Sequence, residues 1–241
     1  MKNIQSQLHR SYNACAKCVT RHNCINSCLS NIEVENLNNL FIQRISLRRG
    51  ENLYHNGDKH QSIFNIRAGV LKMEHSLADG RQQLIKFCMP GELAGLDGLQ
   101  DGKHHNETTA LVDSDICCIN FDQFKKITNQ FPSLQQSLDQ KMSSILNDIQ
   151  DHIFLLGCLS SNEKLAHFII ELSKKIGQEN CPAELFKLPM NREELSSYLG
   201  MTVETLSRSF TYMAKNKIIQ VRNKNIKIIS FDKLTALKNS H

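Results

Sequence analysis

MNREELSSYLGMTVETLSRSFTYMAKNKIIQVRNKNIKIIS, residues 190–230, is the stretch that decides the fold. Asn191 followed three positions later by Glu194 is a reciprocal capping pattern, and it predicts a short helix that starts there. Leu195 and Leu199 point inward, and Gly200 permits the tight turn that follows. Thr202 caps the next helix, which runs from about Met201 to Lys215. Its Val203, Leu206, Phe210 and Met213 are spaced for burial, while Glu204, Thr205, Ser207, Arg208 and Thr211 are left outward. Two apolar runs, 218–222 and 226–230, flank a turn at Asn223–Asn225 and form a two-stranded wing. Together these parts predict a winged helix-turn-helix, whose second helix is of the kind that enters the major groove of DNA.

Charge agrees with that expectation. Residues 187–241 hold ten of the 29 Lys and Arg but only four of the 24 Asp and Glu, so the whole positive excess sits in the last quarter of the chain. A local excess of this kind suits a polyanion. Working outward, residues 131–160 read FPSLQQSLDQKMSSILNDIQDHIFLLGCLS. Leu138, Met142, Ile145, Ile149, His152 and Leu156 recur at alternating steps of four and three, a heptad seam that Leu134, Leu146, Ile153 and Leu155 widen. Such a helix either buries its edge in its own core or pairs with a second copy. Its apolar edge exceeds what one small domain usually covers, so it is expected to pair, through Leu138, Met142, Ile145, Ile149, Ile153 and Leu156. SNEKLAHFIIELSKKIG, residues 161–177, predicts a further helix capped by Ser161 or Asn162 and ended by Gly177.

Residues 39–121 change character. Short apolar runs alternate with turns at Gly50, Asn56-Gly57, Gly69, Asp79-Gly80 and Pro90-Gly91, which predicts an antiparallel β-roll with a hairpin over Ala78-Asp79-Gly80. The expected class is therefore α+β. Ahead of the roll, residues 15–28 read CAKCVTRHNCINSC. A polar segment this rich in thiols should not order itself, and a metal would supply the missing ordering energy. If Cys15, Cys18, Cys24 and Cys28 act together, a structural zinc site results; if one ligand is remote, an iron–sulfur cluster bridges two parts of the fold. Cys117 and Cys118 sit side by side in the last roll strand, and only one of them can look toward those thiols. With no apolar run near the length of about 20 residues that spans a membrane, and no apolar leader, the chain is expected in the cytoplasm. There, nine cysteines point to metal or redox chemistry rather than disulfides. Lys103-His104-His105 is the only hint of an enzyme site, and a solvated loop explains it better.

Tyr198 to Arg208, YLGMTVETLSR, resembles the recognition motif of the CRP/FNR superfamily of bacterial transcription regulators, and its Glu and Ser-Arg are similar to the fumarate-and-nitrate-reduction branch. The spacing of Cys15, Cys18 and Cys24, with Cys117 in the last roll strand, matches that branch's ligands for an oxygen-labile [4Fe–4S] cluster. The resemblance implies four parts: a cysteine segment (1–30), a roll of the cyclic-nucleotide-binding type (31–130), a dimerisation helix (131–160) and a winged helix-turn-helix (161–241). It implies a homodimer that is not an enzyme, binds palindromic TTGAT-like half-sites on double-stranded DNA and works with RNA polymerase. Glu204, Ser207 and Arg208 would read bases, Val203 would touch a thymine methyl, and Lys215, Lys217, Arg222 and Lys224 would meet phosphates. Cyclic-nucleotide sensors of the superfamily hold the ligand phosphate with an arginine; here none occurs between Arg81 and Arg192, so no cyclic nucleotide is expected. One departure stands out. Ile149 occupies the place where that branch carries an acidic residue that holds cluster-free subunits apart, so pairing independent of oxygen, cluster-free or with a structural zinc, is the alternative.

Overall fold

The computed structural model describes residues 8–9, 15, 18–30, 42–77, 79–177 and 181–238. Ala78 of the expected hairpin turn lies outside them. The chain divides into two compact units, residues 1–146 and 147–241.

The described residues of the first unit form nine strands: β1 (Leu8–His9), β2 (Ile42–Leu47), β3 (Asn52–Tyr54), β4 (Ser62–Ala68), β5 (Leu71–Ser76), β6 (Gln82–Cys88), β7 (Leu93–Ala94), β8 (Glu107–Ala110) and β9 (Ser114–Asn120). They form two sheets, in the orders β1-β2-β9-β4-β7 and β3-β8-β5-β6, and every neighbouring pair is antiparallel. Alternation along β9 builds two cores at once. Ile116 joins Ile45, Phe64, Ile66 and Leu71 inside the roll, and Cys118 packs against that cluster. Ile119 faces the other way, joining Ile25, Leu29, Ile63, Phe124, Leu134 and Leu138. The second core therefore ties the outer face of the sheet to the cysteine segment, to helix α1 (Phe121–Thr128) and to the first turns of α2 (Pro132–Cys158). Two short 3-10 turns, Arg21–Asn23 and Ile25–Cys28, carry that segment.

The structure corrects the pairing seam. Leu138, expected at a subunit interface, is buried in its own subunit beside Leu134 because the cysteine turns cover that end of the helix. Met142, Leu146, Ile149 and Ile153 remain exposed, and Ile145 and Leu156 are half-buried. The His104 loop is corrected as well. His104 is 3% exposed, stacked on Tyr54 with centroids 3.8 Å apart. Asp97 ties the loop down, with one carboxylate oxygen 3.2 Å from His104 Nδ1 and the other accepting the amides of His105 and Asn106.

The second unit contains α3 (Ser161–Ile176), β10 (Leu185–Lys187), α4 (Arg192–Tyr198), α5 (Val203–Lys215), β11 (Ile219–Arg222), β12 (Asn225–Ile228) and α6 (Phe231–Lys238). The cap of α3 is Ser160 rather than Ser161 or Asn162, because Glu163 reaches back three positions to the Ser160 amide at 2.6 Å. The Asn191 and Glu194 box forms as the sequence predicts, both bonds being 2.8 Å. The wing gains a third strand, in the order β10-β12-β11. Val203, counted among the buried positions, is exposed at the first turn of α5.

Gly200 makes the turn between α4 and α5 with φ +60°, and a Cβ there would stand 2.9 Å from Leu156 Cδ2. Gly200→Ala is expected to cost about 1–2 kcal/mol, mostly backbone strain in the left-handed region. Urea unfolding followed by circular dichroism checks the size of the loss.

Candidate functional site

Two groups of side chains stand apart from the packing. The first lies on the outer face of β4 and β9. Cross-strand pairing places Cys117 opposite Arg44 on β2 and opposite Asn65 on β4. Residues directly opposite one another share a face of the sheet, so the face runs from apolar Ile63 and Ile119, through Asn65 and Cys117, to a polar end. That end is Asp115, gripped by the guanidinium groups of Arg44 and Arg67, the latter at 2.6 Å. The cysteine turns lie over this face, with Cys15 and Cys24 packed against its apolar core.

Four thiols meet there closely enough to feel one another's charge. Burial, and then the neighbouring Cys24 and Cys18, push the Cys15 thiol up to about 11. Burial, followed by Cys15, Cys24 and Cys18, pushes Cys117 up to about 12. Cys24 is raised by burial as well. Cys18 differs: burial acts against its charged form, but hydrogen bonds from Thr20, whose Oγ1 is 3.3 Å away, and the charge of Arg67 hold it below the ordinary value. Cys118 turns from this group toward Ser62 and the roll core. Cys28 is also directed elsewhere, its thiol donating to the Ser133 carbonyl of α2 at 3.3 Å. Among the described residues, no three Cys, His, Asp or Glu side chains are already drawn tightly enough together to hold a metal ion.

Two features here went unseen in the sequence. Lys141 of α2 donates to the Asn23 carbonyl at 2.8 Å and to the Asn23 side-chain oxygen, which links the cysteine turns to the long helix. Asn65 stands beside Cys117, fully buried. Neither shows in the sequence, because both partners are remote along the chain.

The second group is the exposed face of α5. Glu204 and Arg208 are one turn apart, with Arg208 Nη2 3.7 Å from Glu204 Oε2, and both are strongly exposed. This pair is too solvated to matter for stability, so both groups remain available to a ligand. Ser207 Oγ donates to the Val203 carbonyl at 2.8 Å, which leaves its oxygen lone pairs facing outward. From behind, the Arg192 guanidinium of α4 stacks 3.5 Å from the Phe210 ring centroid and fixes one helix against the other. Lys215, Lys217 and Arg222 are exposed. Lys224, expected to meet phosphate, is half-buried and donates to the Pro189 carbonyl at 3.4 Å, because the added strand β10 brings that carbonyl alongside. An outward Arg and Glu on one helical face, with lysines and an arginine at its end and on the wing, suit base edges and phosphates respectively.

Comparison with known proteins bears on both groups. Residues 163–237 match the Crp-like helix-turn-helix domain, and residues 44–131 match the cyclic nucleotide-binding domain. The chain is 32% identical over 223 residues to the transcriptional regulatory protein btr of Bordetella pertussis, covering 92% of each. It is 32% identical to the fumarate and nitrate reduction regulatory protein of Escherichia coli K12, covering 92% of this chain and 89% of that one. The structure of FixK2 from Bradyrhizobium japonicum superposes with a TM-score of 0.74 at 24% identity, over 84% of this chain and all of the other, which supports the fold. Relatives aligned along nearly their whole length are regulators rather than enzymes; the chain belongs to the CRP/FNR family of DNA-binding transcription regulators.

Proposed function

We propose that this regulator responds to oxygen through a [4Fe–4S] cluster held by Cys15, Cys18, Cys24 and Cys117, and that the cluster governs pairing of two subunits on palindromic TTGAT-like DNA. One observation supports the proposal: the four partly buried thiols feel one another's charge, while Cys118 and Cys28 point elsewhere. The donor set fits such a group in kind, since soft thiolates are its usual ligands and Arg21, Arg44, Arg67 and Lys141 bring positive charge to a centre that would be anionic. When bound, the cluster would supply chemistry that oxygen destroys.

The chain's own residues do the rest. Ile25 and Leu29 sit against Leu134 and Leu138, and Lys141 holds Asn23, so the order of the cysteine turns acts directly on α2. Next along that helix come Met142, Leu146, Ile149 and Ile153, an exposed apolar edge that suits a second copy of the chain. Pairing sets two recognition helices about 34 Å apart, one turn of DNA. A bias of about 5–6 kcal/mol is enough to change occupancy almost completely. Glu204, Ser207, Arg208 and Val203 then read bases, Lys215 and Arg222 meet phosphates, and RNA polymerase is the protein partner. A cyclic nucleotide is not assigned, since no arginine lies between Arg81 and Arg192 to fork its phosphate.

Protein prepared without air should carry about four iron and four sulfide per chain on visible and Mössbauer spectra, and it should lose both iron and half-site binding on exposure to air. Colourless, iron-free protein with bound zinc overturns the proposal.

Ile149 favours a cluster-free dimer as the rival, because it is half exposed on the pairing edge where a charge would keep subunits apart. Ile149→Asp is expected to weaken the cluster-free dimer by about tenfold or more, two buried apolar groups being replaced by facing charges. Sedimentation of air-exposed protein reads the change.

A further inference from the structure

Asn65 is 1% exposed, next to the apolar Ile63, Leu93 and Ile119 of its sheet face. Leucine would satisfy the packing there. The side-chain Oδ1 of Asn65 finds no hydrogen-bond partner among the described residues, and its Nδ2 reaches only the Ile66 carbonyl at 3.4 Å, near the limit of a hydrogen bond. A buried amide this poorly satisfied is rare in a folded chain and calls for a reason. The strand register supplies one, for Asn65 stands directly opposite Cys117. A second amide repeats the pattern. Asn26 is 2% exposed, its Oδ1 is also without a partner among the described residues, and its side chain already hydrogen-bonds the Cys15 sulfur.

We propose that Asn65, together with Asn26, is a positioning residue for the sulfur centre: the two amides flank Cys117 and Cys15 and donate N–H groups to their sulfurs. This rests on the oxygen-responsive reading above and names the residues that tune it. Thiolate and sulfide sulfurs accept hydrogen bonds and donate none. N–H groups aimed at them favour the more negative, reduced form and so resist oxidation. The Nδ2 donors gain a stronger, anionic acceptor when the sulfurs are bound as thiolates, while the buried Oδ1 atoms keep their desolvation cost in the cluster-free chain. Stability and sensing therefore move in opposite directions when the amide is removed.

The test uses full-length protein, cluster-free and anaerobically reconstituted with iron and sulfide. Cluster-free Asn65→Leu is expected to unfold at a higher temperature than the parent chain, because an unsatisfied polar group becomes an apolar one. Reconstituted Asn65→Leu should bind iron in the parent's amount, show a lower reduction potential, and lose visible absorbance in air about three- to tenfold faster, as fits the loss of one or two hydrogen bonds. Asn65→Ala must show the same faster decay, which covers the case in which leucine is too bulky to fold. A variant that loads, decays at the parental rate and is less stable without iron overturns this inference and leaves the sensor reading intact. A parent chain that takes up no iron overturns both.

Discussion

Cys117→Ala protein, prepared without air, is expected to bind iron about 100-fold more weakly than the parent chain or worse, since losing even an outer partner of a metal ligand costs about 10- to 100-fold. Its half-site affinity should fall to that of air-exposed protein. Cys117 is the one candidate ligand on a regular strand, paired on both sides to β2 and β4. Cys15, Cys18 and Cys24 belong to a segment of short 3-10 turns, which cannot draw three thiols into a rigid set without a fourth fixed point. Cys118→Ala is the matched control. It lies one residue away but faces the roll core, so it should cost about 1 kcal/mol of packing and leave iron content unchanged. Cys28→Ala separates the all-local zinc alternative: if zinc is held by the first turns alone, that variant loses metal and Cys117→Ala keeps it. Iron and zinc analysis of the three variants, beside their thermal unfolding, decides among these outcomes.

The winged helix-turn-helix was legible because its signals are local. A capping box, a glycine between two helices and a cap threonine each act within four residues, and all three form as the spacing predicts. β10 was missed because three residues, Leu185–Lys187, carry too little alternation to mark a strand; its register is set by β12, 40 residues away. Leu138 was misplaced for a related reason. Heptad spacing shows that a side chain lies on the apolar stripe, but whether a second copy or the chain's own N-terminal turns cover it depends on a contact more than 100 residues distant in sequence. The thiol group was half legible. The local cysteines, Cys28 among them, were visible as candidate ligands, and strand alternation limited a remote fourth to Cys117 or Cys118. The choice between them follows from which face of β9 meets the cysteine turns. Asn65 and Lys141 gave no sequence signal, since neither belongs to a motif and each matters only through a tertiary neighbour.

Arg208→Ala should weaken specific DNA binding by about 2–6 kcal/mol per dimer, roughly 30-fold to 10⁴-fold, because a bidentate arginine–guanine contact is worth about 1–3 kcal/mol and two half-sites lose it together. Arg208 is strongly exposed and, among the described residues, meets Glu204 at 3.7 Å, so the loss comes from the interface and not from the fold. Arg208→Lys should recover little, since an ammonium cannot reproduce the planar fork. Lys215→Ala and Arg222→Ala give the contrast. Both side chains are exposed beyond the reading face, and each should lower affinity for specific and random DNA alike and reduce the salt slope by about one per protomer. Glu204 completes the case. With Arg208 it forms an i, i+4 pair, so the two substitutions should couple on the palindrome but act independently on thermal unfolding, where an exposed pair contributes almost nothing. Fluorescence anisotropy with TTGAT-like and scrambled duplexes, at two salt concentrations, reads all of these variants. Equal loss on both duplexes for Arg208→Ala would mean that α5 does not read bases through this residue.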